Sequence, residues 1–297
     1  MTAAGIFVAF LVACVGLAAI VATRNYRWAR SQLEADPPSP LLKDLQSVGL
    51  SGLQAISFKS PEGLNVAGWY VPSRNRAAVI VTHGTNSDRA TMLPEIRLLA
   101  EAGFGVLAFD WPGLGESEGT VRWGAASRDA LTAAIEWVAA RADVDRDRIG
   151  GMGFSMGGFV MTQVAATDRR LRAIVLESAP SSLDTYIDIH FSTWLFLSKW
   201  PARWALRESD LLSIDRSPIR LIGDIAPRPL LIIGQSDDPE IPASMTRALY
   251  AAAHEPKTLW LIQGAQHGGY AQVVGADEYG RRLRAFFADN LLERGHQ

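Results

Sequence analysis

The sequence predicts an α/β protein with a mostly parallel sheet, helices on both faces of that sheet and one apolar helix ahead of it. Short runs rich in β-branched residues alternate with helical stretches, which is the pattern of successive βαβ units. The runs also end in Gly, Ser, His or Asp clusters. In such sheets ligands bind at the carboxyl ends of the strands, so these clusters are the first candidates for a site.

Composition narrows the class of protein further. The chain has 297 residues, of which 48% are hydrophobic and 20% charged, enough for one large domain with a single core. A net charge of −2 and a pI near 6.2 provide no basic field for a nucleic acid partner. The single cysteine, Cys14, excludes an intrachain disulfide and a cysteine-rich zinc site.

An apolar run over residues 3–22 carries no charged side chain. As a helix it would span ~30 Å, about the thickness of one hydrocarbon core. A core helix would show a polar face, and a cleaved signal peptide would follow basic residues, so the run predicts a membrane span. The segment "LVAC" resembles a lipoprotein box, but the residues after Cys14 stay apolar, and we treat it as a coincidence.

The residues beside this run predict its orientation in the cell membrane. Arg24, Arg27 and Arg30 follow the run, whereas only the amino terminus precedes it. The positive-inside rule therefore predicts a single-pass protein whose main domain is cytoplasmic. Tyr26 and Trp28 suit the aromatic belt at that boundary.

Turn residues divide the rest of the chain. Prolines in "EADPPSP" stop helix formation, so residues 1–30 form the anchor and its basic flank, 31–53 a linker and 54–297 the main domain. Alternating apolar and polar residues around "SPEG" predict an antiparallel hairpin. Six further strands are predicted, with helices over residues 89–102 and 128–140 between them: "AAVIVTHG", "FGVLAFD", "RIGGMGF", "LRAIVLES", "RPLLIIG" and "TLWLIQG".

One segment, residues 181–227, interrupts this alternation with aromatic and leucine-rich sequence and no clear strand. We interpret it as a helical cap insertion over the strand ends. Its aromatic residues could line an apolar acyl pocket, face the membrane surface or simply pack the cap on the sheet. They are Trp194, Phe196, Trp200 and Trp204.

The segment "GFSMG" around Ser155 fits the G-x-S-x-G pattern, with a strand-like run before it and a helix-like run after it. A serine at such a sharp turn adopts a strained backbone, and side chains two residues either way would collide with the neighbouring elements. The turn exposes the hydroxyl above the sheet, and the helix that follows directs its free amide groups at it. The pattern predicts that Ser155 is a nucleophile.

A serine nucleophile needs a base, and His267 is the candidate because it follows the last predicted strand within small residues. The other histidines precede the serine, lie in the insertion, end a helix or fall in the tail: His83, His190, His254 and His296. The orienting acid should follow the preceding strand, where "GQSDDPEIP" offers Asp237, Asp238 and Glu240. We prefer Asp238, since the helix start after Pro242 fixes its end of the loop, while Asp237 remains an alternative.

An oxyanion hole requires two backbone amides near the nucleophile. One comes from Met156, the residue after Ser155, and the other from the loop after the first parallel strand. Thr85 in "VTHGTNSD" is the expected second donor. His83 is expected to hold that loop by hydrogen bonding.

Two other interpretations of the glycines fail on spacing. Glu177 stands where a dinucleotide fingerprint has its acid, but Met156 occupies the third glycine position, where close helix packing needs Gly or Ala. A phosphate-binding loop would need a lysine after the glycines. The sequence also contains no H-E-x-x-H pattern or other cluster of metal ligands.

Taken in order, "VTHGTNSD", "FDWPGLGESEG", "RIGGMGFSMGG", "GQSDDPEIP" and "GAQHGGY" resemble the serine hydrolases of the α/β-hydrolase superfamily. The chain is most similar to the bacterial branch related to serine aminopeptidases and to membrane-anchored Bem-like hydrolases. The resemblance implies an eight-stranded sheet, an ester, thioester or amide substrate, no cofactor, and a triad of Ser155, Asp238 and His267. It also implies that the turn at residues 110–117 is structural. The acid loop is one residue longer than the usual spacing, which keeps Asp237 open.

These features together predict a membrane-tethered serine hydrolase that cleaves a small-molecule carboxylic ester or thioester through an acyl-enzyme on Ser155. The tether and the aromatic insertion favour an acyl chain over a peptide, although this fold serves many chemistries. An aminopeptidase-like amide hydrolase and a non-catalytic membrane scaffold of the same fold are the alternatives.

Overall fold

The protein is built around an eight-stranded sheet. The computed structural model describes residues 2–31, 38–39, 48–120, 123–191, 195–206, 216–264 and 266–292, and at 195–198 it describes the backbone alone. Trp194, the side chain of Phe196, His296 and most of the predicted linker lie outside these described residues.

The sheet is mostly parallel, as predicted. Its strand order is β1-β2-β4-β3-β5-β6-β7-β8, and only the β1–β2 and β2–β4 pairs are antiparallel. The predicted hairpin around "SPEG" is the β1–β2 pair. The strands are β1 (Gln54–Lys59), β2 (Asn65–Val71), β3 (Ala78–Thr82), β4 (Gly105–Phe109), β5 (Ile149–Phe154), β6 (Leu171–Glu177), β7 (Leu230–Gln235) and β8 (Lys257–Ile262).

Helices cover both faces of the sheet. In β3, Ala78 and Ile80 point into one apolar cluster, whereas Val79 and Val81 point into the other. Because successive side chains of a strand alternate between faces, a strand buried on both sides has a continuous apolar sequence. The helices are α1 (Ala3–Ser31), α2 (Leu93–Glu101), α3 (Ala125–Ala139), α4 (Met156–Thr167), α5 (Leu183–His190), α6 (Leu195–Ala205), α7 (Pro218–Leu221), α8 (Ala243–Ala252), α9 (Tyr270–Val274) and α10 (Ala276–Leu291).

The helix predicted over residues 89–102 begins differently in the structure. A 3₁₀ turn at Arg89–Met92 comes first, because the side chain of Asp88 accepts the N–H of Ala90. The α-helix starts only at Leu93, with a proline in its first turn, where the missing N–H costs nothing. The helix predicted over residues 128–140, in contrast, begins earlier than predicted, after Gly124, whose φ of 94° turns the chain.

The long helix α1 contains 29 residues and is apolar enough to cross a membrane by length and composition, a property that signal sequences share. Residues 2–20 are exposed, and the other end packs on the domain through buried Asn25 and Ala29. One unbroken helix thus joins the exposed apolar part of α1 to the part that contacts the domain.

Helices α5 and α6 lie between β6 and β7 in the chain, within the predicted cap insertion. Ion pairs join them, with Lys199 to Asp188 at 2.7 Å and Arg203 to Asp184 at 3.0 Å. The later part of that insertion behaves differently, since Ile222 and Ile225 in the following 3₁₀ turn are buried in the core.

A buried arginine ties the turn at residues 110–117 to the start of α2. The guanidinium of Arg89 pairs with Asp110 and, at 2.5 Å, with Glu116, and it lies over the ring of Trp69. Asp110 also accepts the backbone N–H groups of Arg89 and Glu116. The turn at residues 110–117 is therefore a structural element that lies next to the strand ends.

Replacing Arg89 should destabilise the fold, because Arg89→Met leaves the carboxylate of Asp110 buried without a counter-charge. We expect the free energy of unfolding to fall by about 3–5 kcal/mol. Arg172→Met is the matched control, since Arg172 pairs with the exposed Asp147 and such pairs contribute at most about 1 kcal/mol. Chemical denaturation of the full chain in detergent, followed by circular dichroism, measures both. Equal losses would contradict the buried-pair interpretation.

Candidate active site

Ser155 lies in a sharp turn between β5 and α4, with a φ of 52° that L-residues rarely adopt. Its N–H donates to the carbonyl of Glu177 at 2.7 Å. A side chain at Gly153 would meet backbone atoms of residues 157 and 158 at 2.6 Å, and one at Gly157 would meet the carbonyls of residues 82 and 83 at 2.6 Å. Both glycines are therefore required by the close approach of the two elements.

The structure brings the three predicted site residues into contact. His267 Nε2 lies 2.9 Å from Ser155 Oγ, and His267 Nδ1 lies 2.9 Å from Asp238 Oδ2. The carboxylate accepts the Nδ1 hydrogen, which leaves the Nε2 lone pair facing the hydroxyl. The ring of Phe154 packs against the imidazole, with 4.8 Å between ring centroids. The arrangement can move a proton from serine to histidine.

Asp238, rather than the neighbouring Asp237, contacts His267. Its second oxygen, Oδ1, accepts the backbone N–H groups of Glu240 and Ile241 at 2.8 and 2.9 Å. Burial acts to raise the pKa of Asp238, but the hydrogen bond and charge of His267 and the loop amides hold that pKa below its usual value. Asp237 is exposed and accepts the hydroxyl of Ser236.

Ser178 and Tyr270 complete the surroundings of this carboxylate, and the sequence did not identify either. Ser178 Oγ donates to Asp238 Oδ2 at 2.7 Å, and the Tyr270 hydroxyl donates to Ser178 Oγ at 2.7 Å. Ser178 has a φ of 41°, which marks a tight turn at the end of β6. The one available signal was the "ES" cluster that ends this strand.

Behind the turn at Ser155, Glu177 and Glu95 are both buried and both contact the hydroxyl of Tyr279, at 2.5 and 3.1 Å. One phenolic hydrogen serves one acceptor, so the other carboxyl must donate its own proton. Burial raises the pKa of Glu95 to about 7 and, with the charge of Glu95, raises the pKa of Glu177 well above its usual value. At least one carboxyl of the pair is therefore a neutral acid.

His83 and Trp111 hold the loop that passes the nucleophile. The Trp111 backbone N–H donates to His83 Nε2 at 3.3 Å, and the indole N–H donates to the His83 carbonyl at 2.9 Å. His83 Nδ1 then carries the hydrogen and donates to the carbonyl of Gly84. Burial lowers the pKa of His83 to about 4, so its ring is neutral. The hydrogen bonding that the sequence predicts for His83 is present.

The two predicted oxyanion-hole residues, Thr85 and Met156, line the same cavity as Ser155. Met156 is the first residue of α4, and the first amides of a helix have no partner within the helix. A side chain on Gly84 would lie 3.1 Å from the Cβ of Ser155, so this loop runs directly beside the nucleophile.

A cavity of about 240 Å³ opens in front of Ser155 and is mostly apolar. One wall comes from α1: Trp28 stacks on Tyr186 of α5, with 6.0 Å between ring centroids, and packs edge-on against Phe191. The sequence indicated an interfacial role for Trp28 and gave no sign that it reaches the site. The lining residues are Trp28, Thr85, Trp123, Ser155, Met156, Pro180, Leu183, Tyr186, Leu206, Glu240, Ile241 and His267.

The strand order and the serine on a strained turn before α4 define a hydrolase of the α/β fold. The superfamily predicted from the motifs is thereby confirmed. The chain belongs to the X-Pro dipeptidyl-peptidase (S15) family, whose model matches residues 50–297. Across the described residues, no group of three or more His, Cys, Asp or Glu side chains is arranged to hold a metal ion.

Two bacterial relatives each match about 70% of this chain. The uncharacterized protein Rv2307c of Mycobacterium tuberculosis (strain ATCC 25618 / H37Rv) is 32% identical over 216 residues, covering 71% of each chain. The uncharacterized protein YfhR of Escherichia coli (strain K12) is 29% identical, covering 72% of this chain and 73% of YfhR.

Two structures share the fold. The Pyrococcus furiosus esterase Pf2001 superposes with a TM-score of 0.71 at 22% identity, over 87% of this chain and 98% of that one. The α/β hydrolase GrgF from Penicillium sp. sh18 superposes with a TM-score of 0.67 at 19% identity, over 80% of this chain and 99% of that one.

The buried carboxyl pair predicts how stability depends on pH. A carboxyl whose pKa is higher in the folded than in the unfolded chain stabilises the fold fully below its ordinary pKa, and this contribution is lost as pH rises through the folded value. The free energy of unfolding should therefore fall between about pH 4.5 and 7. Glu95→Gln should weaken that fall, because glutamine stays neutral.

Chemical denaturation of the full chain in detergent at a series of pH values provides the measurement. Glu101→Gln is the matched control, since this exposed glutamate ends the same helix. The control should keep the whole pH dependence. An unchanged pH dependence in Glu95→Gln would contradict a shifted carboxyl at this position.

Proposed function

We propose that the protein is a membrane-anchored serine hydrolase that cleaves carboxylic esters or thioesters through an acyl-enzyme on Ser155. The observation that carries the proposal is the 2.9 Å contact between His267 Nε2 and Ser155 Oγ, within a site whose histidine is oriented by a buried carboxylate. A hydroxyl becomes an effective nucleophile when a positioned base takes its proton during attack.

In acylation, Ser155 Oγ attacks the substrate carbonyl carbon while its proton passes to His267 Nε2. The carbonyl π electrons move onto oxygen and give a tetrahedral oxyanion. When that intermediate collapses, the bond to the alcohol or thiol breaks, and the leaving group takes the proton from His267. The substrate acyl group is then an ester of Ser155.

In deacylation, a water molecule gives its proton to His267 and attacks the acyl carbon. The second tetrahedral intermediate collapses, the carboxylic acid leaves, and Ser155 Oγ recovers the proton from His267. Asp238 stays ionised throughout and stabilises the imidazolium that forms twice in the cycle. Its lowered pKa supports this role, since it remains a carboxylate at neutral pH.

The backbone amides of Met156 and Thr85 are proposed to bind the developing oxyanion. Both residues line the cavity at Ser155, and the positive end of the α4 dipole points to the same place. Preorganised donors of this kind contribute about 3–4 kcal/mol each to lowering the barrier.

The chemistry of the cavity favours an acyl group. Trp28, Trp123, Leu183, Leu206 and Ile241 give it a mostly apolar surface. Pf2001, which shares the fold, is an esterase. We also propose that α1 is retained as the anchor in the cell membrane, with Arg24, Arg27 and Arg30 on the cytoplasmic side.

A second candidate is an aminopeptidase-like amide hydrolase. One carboxylate, Glu240, lines the cavity and is exposed, so it could bind the ammonium group of a peptide amino terminus. The family to which the chain belongs, the X-Pro dipeptidyl-peptidases, also favours a peptide substrate. However, Glu240 already accepts the hydroxyl of Tyr186 at 2.8 Å, and a single charge stands among apolar residues.

Turnover of two chromogenic substrates distinguishes the candidates. We expect kcat/KM for p-nitrophenyl butyrate to exceed that for glycyl-proline p-nitroanilide by at least about tenfold, because the apolar cavity favours the acyl chain. Ser155→Ala should lower ester turnover by about 10⁴-fold or more. A preference for the anilide that Glu240→Gln abolishes would establish the peptidase instead.

A fluorophosphonate probe tests the alternative of a scaffold without activity. The wild-type chain should be labelled covalently at Ser155, and Ser155→Ala should not. No labelling of the wild type, or equal labelling of both, would contradict the proposed nucleophile.

Asp238 and Asp237 offer a matched pair for the orienting acid. Asp238→Asn should lower kcat by about 10²–10⁴-fold with KM nearly unchanged, because the amide no longer fixes the histidine tautomer or stabilises its charge. Asp237→Asn should leave kcat unchanged, since Asp237 contacts Ser236 at the surface. Steady-state ester hydrolysis measures both variants, and the reverse order of effects would exchange the two assignments.

A further inference from the structure

The tryptophans of α6 form an exposed aromatic surface beside α1. Trp200 is 68% exposed and Trp204 59%. Among the described residues outside α1, the large hydrophobic side chains exposed to solvent are Ile189, Trp200 and Trp204, all within the cap helices α5 and α6. A soluble surface rarely leaves large aromatic side chains grouped in this way without a partner.

Three faces of α6 explain why the tryptophans point outward. Ala202 and Ala205 are buried in the apolar cluster that also contains Ala29 of α1. Lys199 and Arg203 pair with aspartates of α5, as described above. Trp200 and Trp204, four residues apart, share the remaining face, because residues at this spacing lie on one side of a helix.

The aromatic surface lies beside the part of α1 where its apolar run ends. Trp200 and Trp204 line an open groove of about 500 Å³ together with Ala22, Thr23 and Tyr26 of α1. The rings of Tyr26 and Trp204 are 5.2 Å apart between centroids. If residues 3–22 cross the hydrocarbon core, this groove lies at its boundary, where tryptophan and tyrosine are favoured in membrane proteins.

The continuity of α1 also fixes the distance between the cavity and the hydrocarbon core that α1 is proposed to cross. Trp28 is six residues beyond Ala22 on the same unbroken helix, so it stands roughly 9 Å from the hydrocarbon boundary, within or just outside the headgroup layer. Trp28 forms a wall of the cavity that contains Ser155. The exposed Arg24 and Arg27 lie between the two levels and can contact anionic headgroups.

We propose that the surface formed by Trp200, Trp204 and Tyr26 docks on the bilayer that α1 crosses, and that the substrate is an acyl ester held in that bilayer, which enters the cavity past Trp28. The occupant of the groove between α1 and α6 is therefore membrane lipid. This inference rests on the proposed function for its substrate, whereas the membrane contact stands on the geometry of α1 and α6.

Site-directed quenching tests the contact. On a Cys14→Ser background, Trp204→Cys and Asp289→Cys are each labelled with an environment-sensitive fluorophore, and the full chain is reconstituted in vesicles of phosphatidylethanolamine and phosphatidylglycerol. Asp289 is exposed on α10, on the other face of the sheet. Doxyl-labelled lipid should quench the probe at position 204 and leave the probe at 289 unaffected. Equal quenching at both positions, or none at 204, would overturn the membrane contact.

Two esters with the same leaving group test the substrate class. In the same vesicles, the double variant Trp200→Ala/Trp204→Ala should hydrolyse methylumbelliferyl oleate roughly tenfold more slowly than wild type, since it loses two apolar contacts with the bilayer. Its hydrolysis of water-soluble methylumbelliferyl acetate should not change. The matched variant Trp200→Phe/Trp204→Phe should keep most of the oleate activity, because it keeps aromatic surface.

The outcomes separate the two proposals. Equal losses with both esters, or no loss with oleate, would overturn the substrate inference while leaving the hydrolase in place. If wild type hydrolyses neither ester and is not labelled at Ser155 by a fluorophosphonate, the proposed function fails and the substrate class fails with it. The quenching result then decides the membrane contact by itself.

Discussion

The arrangement of the site depends on the hydrogen bond from the backbone N–H of Ser155 to the carbonyl of Glu177. It continues the parallel pairing of β5 with β6, whose last matched residues are Phe154 and Glu177. A residue with a φ of 52° costs free energy, of order 1–3 kcal/mol, and persists only where its surroundings fix it. Strand β6 thus holds the strained serine in place.

Glu177, the last residue of β6, and Ser178, the residue after it, hold the two sides of the site. Glu177 fixes the nucleophile through its carbonyl, and Ser178 donates to the carboxylate of Asp238 that orients His267. Two tyrosines from α9 and α10 hold these residues from behind, Tyr279 at Glu177 and Tyr270 at Ser178, with their rings stacked 5.9 Å apart. Elements that follow the histidine in the chain therefore support the residues that hold the nucleophile and the orienting acid.

Sequence patterns predicted the parts of this arrangement that have local signals. The glycines around Ser155 indicate the close approach of β5 and α4, and the small residues around His267 indicate a loop after a strand. Tyr270 has no such signal, and the "ES" cluster does not indicate what Ser178 contacts, because these contacts depend on β6 lying between β5 and β7 in the sheet. Asp237 and Asp238 are adjacent and differ only in the direction of their side chains. The backbone amides of residues 240 and 241 bind the carboxylate of Asp238 only when the loop is folded, so the sequence alone does not show which aspartate faces the histidine.

The same limit of sequence patterns applies to Trp28 in helix α1. Its sequence context, just after an apolar run and among arginines, is typical of a residue at a membrane boundary. In the structure it lies in the wall of the cavity, while Asn25 and Ala29 on the same part of α1 are buried against the domain. If α1 is the anchor that we propose, a flexible tether would let the domain take any distance and tilt relative to the membrane. A continuous helix that packs on the domain fixes both, so in this chain the shape of the cavity and the attachment of α1 cannot vary independently.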